Sequence, residues 1–310
     1  MKIVCLDADT LGSDANLDIF KEIGEFVSYN ITSAEQTIER LQGADIVITN
    51  KVLITDEVMA NTNLKLICVS ATGINNIDAN AAKERGIAVK NVAGYSTNSV
   101  VQQTFASLLA LTNAVSYYGD YGTNGEWVKS EIFTHISRPI SEIAGKEFGI
   151  IGLGTIGKKV AQIAECFGAK VRYYSTSGAN TNDEFVRVSL DSLLKTSDII
   201  SIHAPLNDKT ANLIGEAELN KMKNGAILMN FGRGGIVDEN ALAKAIDEKD
   251  LKVALDVLER EPMSENHPLL GVAKKENLVI TPHIAWASNE ARKKLVELVA
   301  KNIKDFLNGK

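Results

Sequence analysis

The feature that most constrains this chain is Gly152-Leu153-Gly154-Thr155-Ile156-Gly157, a G-x-G-x-x-G run that follows the apolar β-like stretch Glu147 to Ile151. A helical pattern follows at once: Val160, Ile163, Ala164 and Phe167 recur at three- and four-residue spacing, which is one face of a helix. Gly168-Ala169 ends it, and Lys170 to Tyr174 reads as the next strand. Strand, turn, helix and strand make the context in which this glycine pattern has a mechanism. Gly152 permits the tight turn, Gly154 lets backbone approach a pyrophosphate, and Gly157 lets the helix pack closely on the strand. The helix N-terminus adds unpaired N–H groups and the positive end of its dipole. A tight βα turn without a ligand is the competing reading, and the two flanking strands favour dinucleotide binding.

A chain of 310 residues, 45% hydrophobic and 23% charged, has the composition of an ordinary soluble protein with room for two domains. Its net charge of −6 implies a solvated acidic surface, and no basic cluster argues for nucleic acid. Cys5, Cys68 and Cys166 are far apart, each in an apolar setting, and are expected as buried thiols in a reducing compartment. Met1 to Asp7 reads as a first strand, not a signal peptide, and no apolar run approaches a membrane span. A cytoplasmic protein without membrane contact is expected. The histidines show no metal-ligand spacing with each other or with cysteine, so no metal is expected.

Along the first hundred residues strands and helices alternate, which implies a parallel sheet covered by helices. Strands are predicted over Lys2–Leu6, Glu25–Tyr29, Asp45–Thr49, Leu64–Ser70 and Ile87–Lys90, and helices over Asn16–Ile23, Ser33–Leu41, Asp56–Ala60 and Asn80–Arg85. One long helix is predicted from Asn98 to about Tyr118, more apolar than a surface helix requires, followed by an irregular connection through Trp127 and Phe133 to Arg138. Beyond the glycine motif, Ile199–His203, Ala226–Asn230, Val253–Asp256 and Leu278–Thr281 read as strands. Leu190–Lys195, Glu216–Lys221, Glu239–Lys249 and the amphipathic segment Ser288–Leu307 read as helices.

Four polar clusters stand at strand ends, where open α/β sheets place ligands. Ser70 to Asp78 is rich in small residues, and its backbone N–H groups suit an anion as well as they suit a plain turn. In Asn230 to Asp238, Arg233 lies between glycines directly after a strand, and its fork of donors suits a carboxylate. A solvated surface arginine is the alternative. Asp256 ends a strand and Glu261 lies in the loop after it, while His283 stands between a strand and a helix. Singly these are ordinary residues. Together, an arginine can hold an anionic substrate, a histidine can pass a proton at neutral pH, and a glutamate can orient the imidazole.

Taken in order, these motifs resemble the D-isomer-specific 2-hydroxyacid dehydrogenases that use a nicotinamide cofactor. The resemblance runs from Ser70-Ala71-Thr72-Gly73 through Gly152–Gly157, His203-Ala204-Pro205-Leu206 and Asn230–Asp238 to Asp256, Glu261-Pro262 and Thr281-Pro282-His283. Asn91 to Thr97, Pro282 to Ser288 and Glu290-Ala291-Arg292 look most like the glycerate dehydrogenase (hydroxypyruvate reductase) branch. Formate dehydrogenases of similar fold carry Gln where Glu261 stands, and the end at Lys310 leaves no room for the regulatory extension of many phosphoglycerate dehydrogenases.

The resemblance implies an α/β fold of two doubly wound, Rossmann-like parallel-sheet domains with a cleft between them. Residues 1–97 plus 287–310 would form a discontinuous substrate-binding domain, and residues 98–286 the dinucleotide-binding domain. It implies an oxidoreductase acting on CH–OH donors, with reversible hydride transfer between NAD or NADP and a small 2-keto or 2-hydroxy acid, hydroxypyruvate/glycerate among the candidates. It also implies a homodimer built largely on the helix after Asn98. Arg233 would bind the substrate carboxylate and carbonyl, His283 would be the acid/base, Glu261 its partner, and backbone at Ala71, Thr72 and Gly73 would hold the carboxylate. The cofactor would lie against Gly152, Gly154, Thr155, Ile156, Gly157, Ser175, Thr176, His203, Pro205, Phe231, Gly232, Arg233 and His283, with Asp256 on the nicotinamide amide. Some co-repressors resemble this family, so a cofactor-sensing regulatory protein is the alternative. One departure bears on the cofactor: Ser175 stands where NAD-using members usually carry Asp, and no arginine follows within Ser175–Asn180, which leaves NAD and NADP both open.

Overall fold

Continuous apolar runs become strands buried on both faces, as parallel sheets require. In the computed structural model, which describes residues 1–310, the chain divides into one unit of Met1–Ser96 with Ala287–Lys310 and a second of Thr97–Trp286. The first unit carries β1 (Lys2–Cys5), β2 (Glu25–Ser28), β3 (Ile46–Thr49), β4 (Leu66–Val69) and β5 (Ala88–Lys90), all parallel, in the order β2-β1-β3-β4-β5. Helices α1 (Ala34–Arg40), α2 (Asp56–Ala60) and α3 (Ala79–Glu84) connect them. The C-terminal helix Asn289–Leu307 completes this unit. Ser288 caps it by accepting from the Ala291 N–H, and its face of Ala291, Leu295, Val296, Val299, Ala300 and Ile303 is buried. Just beyond β1, the buried Asp7 carboxylate accepts from the N–H groups of Asn50 (2.9 Å) and Lys51 (2.7 Å), fixing the loop after β3.

The second unit holds β6 (Glu147–Ile151), β7 (Lys170–Tyr174), β8 (Val186–Arg187), β9 (Ile199–Ile202), β10 (Ile227–Asn230), β11 (Lys252–Leu255) and β12 (Leu278–Ile280). They form one parallel sheet in the order β12-β11-β10-β9-β6-β7-β8. The order reverses between β6 and β9, and such a switch point is where doubly wound sheets bind ligands. Its helices are α4 (Thr97–Asn113), α5 (Val115–Thr123), α6 (Thr155–Cys166), α7 (Leu190–Thr196), α8 (Glu216–Lys221) and α9 (Glu239–Lys249).

Several expectations change. The helix predicted from Asn98 to Tyr118 is two helices, broken at Ala114, whose φ of 48° is left-handed. The Thr112 carbonyl there accepts the Ser141 N–H at 3.0 Å, a partner distant in sequence that local periodicity cannot show. The connection expected from Gly119 begins as the last turn of α5 and contains a short 3-10 turn, Trp127–Lys129. The helix expected over Asn16–Ile23 shrinks to the 3-10 turn Leu17–Phe20. Cys5 and Cys68 are buried thiols, and burial pushes both pKa values up to about 12, whereas Cys166 is exposed on α6. No helix is long and apolar enough to cross a membrane.

Candidate active site

The glycine loop joins β6 to α6 at the switch point. Gly152 has a φ of +91°, and a Cβ there would lie 2.9 Å from the Ala204 backbone. A Cβ on Gly157 would lie 2.2 Å from the Gly152 carbonyl oxygen. Both positions therefore require glycine for backbone packing. Gly154 differs: a Cβ there would meet nothing within 4 Å, so open space stands before the N-cap of α6. No side chain caps that end of the helix. The first-turn N–H groups of a helix have no partner within it, which suits Thr155, Ile156 and Gly157 to a phosphate.

Two polar atoms beside this loop are buried without a hydrogen-bond partner. One is Ser175 Oγ, directly after β7; the other is His203 Nδ1, directly after β9. His203 Nε2 lies 2.8 Å from Ser201 Oγ, and burial pushes the imidazole pKa down to about 3, so the ring is neutral at pH 7. Buried polar atoms ordinarily find partners, so this pair fits a polar ligand at the sheet's carboxyl edge. Glycine loop, open helix end and orphaned polar atoms together fit a dinucleotide. Pro205 lies exposed beyond His203, whereas the Phe231 side chain belongs to the core beneath the sheet.

The arginine loop is held by the strand end before it. Asn230 Oδ1 accepts from the Gly232 N–H at 3.0 Å, and its Nδ2 donates to the Arg233 carbonyl at 2.8 Å. A Cβ on Gly232 would come within 2.6 Å of the Ala204 carbonyl oxygen, and one on Gly234 within 1.8 Å of the Leu258 carbonyl oxygen. Arg233 is thus carried on backbone packed against two neighbouring loops, and its Nη1 donates to the Gly232 carbonyl at 2.8 Å. Asn230 has two-sided amide chemistry at a strand end before glycines, which was the available sequence signal for its role.

The candidate acid–base pair, His283 and Glu261, is held in a comparable way. Asp256, buried after β11, accepts from Thr281 Oγ1 (2.6 Å) and from the N–H groups of Ile284 (2.9 Å) and Ala285 (2.8 Å). Burial raises its pKa, and the three hydrogen bonds oppose that rise. These bonds bracket His283, whose φ of 53° is left-handed, a strained setting that functional loops tolerate when their surroundings impose it. His283 Nδ1 meets Glu261 Oε2 at 2.7 Å, and Glu261 Oε1 accepts from the Leu258 N–H at 3.1 Å. An ionised carboxylate only accepts, so Nδ1 carries the proton and Nε2 is the free position of the ring. A carboxylate has about four acceptor sites. Asp256 therefore keeps capacity for an amide, but its visible work is to fix the histidine loop, together with Thr281.

In the other unit, Ala71, Thr72 and Gly73 follow β4. The Ala71 carbonyl accepts the Val92 N–H at 3.0 Å, the Thr72 carbonyl accepts Asn91 Nδ2 at 2.6 Å, and Thr72 Oγ1 donates to the Val92 carbonyl at 3.1 Å. The loop's carbonyls are thereby turned onto the segment after β5.

Comparison with known proteins agrees with this geometry. Residues 105–285 match the family profile described as "D-isomer specific 2-hydroxyacid dehydrogenase, NAD binding domain". The chain is 39% identical to a glycerate dehydrogenase of Methylorubrum extorquens, covering 100% of this chain and 97% of that protein. It is 37% identical to a hydroxypyruvate reductase of Blautia hydrogenotrophica, covering 100% and 98%. An acyclic imino acid reductase solved in complex with NADPH and D-Arg superposes with a TM-score of 0.87 at 32% identity, covering 100% of this chain and 98% of that one. The regulatory alternative is not favoured. The chain belongs to the D-isomer-specific 2-hydroxyacid dehydrogenases, oxidoreductases that act on CH–OH donors with NAD or NADP.

Proposed function

We propose that this enzyme reduces a small 2-oxo acid, hydroxypyruvate to D-glycerate or glyoxylate to the achiral glycolate, with Arg233, Glu261 and His283 as its catalytic residues. The observation that carries this reading is the His283–Glu261 pair at 2.7 Å on a left-handed loop pinned by Asp256. The relatives' names, glycerate dehydrogenase and hydroxypyruvate reductase, support the substrate class.

Residues 98–286 would serve the dinucleotide, and residues 1–97 with 287–310 the substrate. Gly154, Thr155 and Ile156 would hold the pyrophosphate, with Ser175, Thr176, His203 and Pro205 beside the adenosine and nicotinamide halves. When bound, the cofactor supplies the hydride that reduces the keto carbon. Protonated His283 gives its Nε2 proton to the carbonyl oxygen as negative charge grows there. Glu261 keeps the ring in the tautomer and orientation that expose Nε2. Arg233 pairs with the substrate carboxylate and offsets charge on the carbonyl oxygen. Backbone N–H groups of Ala71, Thr72 and Gly73 would be the substrate unit's own means of holding a carboxylate. In the oxidative direction the same atoms act in reverse.

A homodimer belongs to the same proposal. Val128 and Phe133 are 90% and 88% exposed, and Ile132, Ile136 and Ile140 are exposed nearby. Val101, Phe105 and Leu109 of α4 line an apolar groove with Ile163 and Phe167 of the α6 segment. Apolar surface of this extent marks an interface, and a second copy of the chain is the usual occupant. A cytoplasmic setting is part of the reading too, supported by thiols kept apart and unpaired. Steady-state rates on hydroxypyruvate, glyoxylate and pyruvate, with NADH and with NADPH, test the assignment. No turnover of any of the three would defeat it, and light scattering of the purified protein tests the dimer.

A further inference from the structure

Ser175-Thr176-Ser177-Gly178 turns sharply after β7, with the Gly178 N–H donating to the Ser175 carbonyl at 3.2 Å and Gly178 at a φ of +75°. Three successive residues there carry hydroxyls, and no carboxylate occurs from Lys170 to Asn182. Ser175 Oγ is buried without a partner. The sequence holds no arginine in this turn, but the sheet brings one to it. Strand β8 pairs with β7, placing Arg187 opposite Tyr173, and Arg187 Nη1 donates to the Gly178 carbonyl at 2.9 Å. A neutral carbonyl takes one of five guanidinium donors and none of its charge. The other charged groups near the turn are otherwise engaged or solvated. Arg172 faces Glu147 at 3.2 Å, Glu184 pairs with Lys158 at 2.9 Å, and Asp183 is exposed.

We infer that Arg187, with the hydroxyls of Ser175, Thr176 and Ser177, forms a phosphomonoester site that takes the 2′-phosphate of NADP(H), making NADPH the preferred cofactor. The inference rests on the dinucleotide reading of this sheet. A guanidinium held at the loop by its own backbone carbonyl loses little freedom on binding, and its remaining donors match the geometry of phosphate oxygens. The hydroxyls supply neutral donors, and the absence of an acid removes the repulsion by which NAD-specific sites exclude the phosphate.

The test is calorimetric titration of the intact protein with adenosine 2′,5′-bisphosphate and with adenosine 5′-monophosphate, neither of which turns over. The wild type is expected to bind the bisphosphate about tenfold or more tightly than the monophosphate, the value of one or two charge-assisted hydrogen bonds. Arg187→Ala should remove most of that margin while leaving the monophosphate affinity unchanged. Ser175→Asp, which places a negative charge at the turn, should reverse the preference. Equal binding of the two nucleotides by the wild type would overturn the inference, as would a margin that survives Arg187→Ala. Binding of neither nucleotide would overturn both the inference and the dinucleotide reading, so the monophosphate arm separates the two failures.

Discussion

His267 Nε2 meets Glu239 Oε2 at 2.7 Å, and His283 Nδ1 meets Glu261 Oε2 at the same distance. The side chains of the first pair are 6% and 10% exposed; those of the second are 26% and 30% exposed. The bonding of each ring sets opposite tautomers. His267 Nδ1 accepts the Leu269 N–H, so its proton lies on Nε2, toward Glu239. Glu239 Oε1 in turn accepts the Glu259 N–H at 2.7 Å, and the pair closes on itself as a fastening for the loop that carries Glu261. His283 spends Nδ1 on its glutamate and keeps Nε2 free, on backbone held in a left-handed conformation by its neighbours. Composition and distance are the same in the two pairs. What separates the two pairs is the ring nitrogen that His283 leaves without a bond, and the greater exposure of its side chain.

The comparison breaks first at His283. His283→Ala should lower kcat by about 10²- to 10⁴-fold, the usual value of a positioned acid–base group. Unfolding transitions and NAD(P)H binding should barely change, because the side chain is partly exposed and fastens nothing but Glu261. Near-normal turnover would remove His283 from the chemistry. Arg233→Lys should lower kcat/KM by about ten- to a hundredfold, since lysine keeps the charge but loses the planar two-point contact. Wild-type kinetics in that variant would exclude a bidentate role. His267→Leu tests the other side. It strands a buried glutamate oxygen and should cost about 2–3 kcal/mol of stability, read as a lower melting temperature. Turnover per folded molecule should fall far less than in His283→Ala. A His267 variant with native stability and lost turnover would invert the assignment.

The strands were legible because parallel strands buried on both faces spell themselves as apolar runs: β3 is Ile46-Val47-Ile48-Thr49 and β4 is Leu66-Ile67-Cys68-Val69, all buried. Strand β8 was not, because it is only Val186-Arg187, both exposed, and exists through pairing with β7. The same non-local cause hid the break at Ala114 and the approach of Arg187 to Gly178. Arg233, Glu261 and His283 stood out by type and by position after strands. Asn230, Thr281 and the inward bonding of Asp256 did not, because a polar residue at a strand end looks alike whether it faces a ligand or a neighbouring loop. Cys166 was expected inside from its apolar helix setting, yet it falls on the exposed side of α6.

His203 supplies a third case, in which burial rather than a carboxylate decides the proton. Its ring is held neutral, with a pKa pushed down from the ordinary 6.5 to about 3, and it faces Ser201 through Nε2. Between those two pH values the unfolded chain binds a proton that the folded chain refuses, so stability falls as the solution is acidified. One proton taken up only on unfolding is worth at most about 1.4 kcal/mol per pH unit. Asp256 has the opposite sign. Its raised pKa lets the folded chain keep a proton the unfolded chain has lost, so acidification above pH 3.8 offsets part of the loss. Denaturant unfolding of wild type and His203→Asn at pH 7, 6 and 5 isolates the histidine, because every carboxylate is common to both. The wild type should lose stability relative to the variant at each step down in pH. Parallel curves would show that His203 takes up a proton as readily folded as unfolded, and that burial does not set its charge.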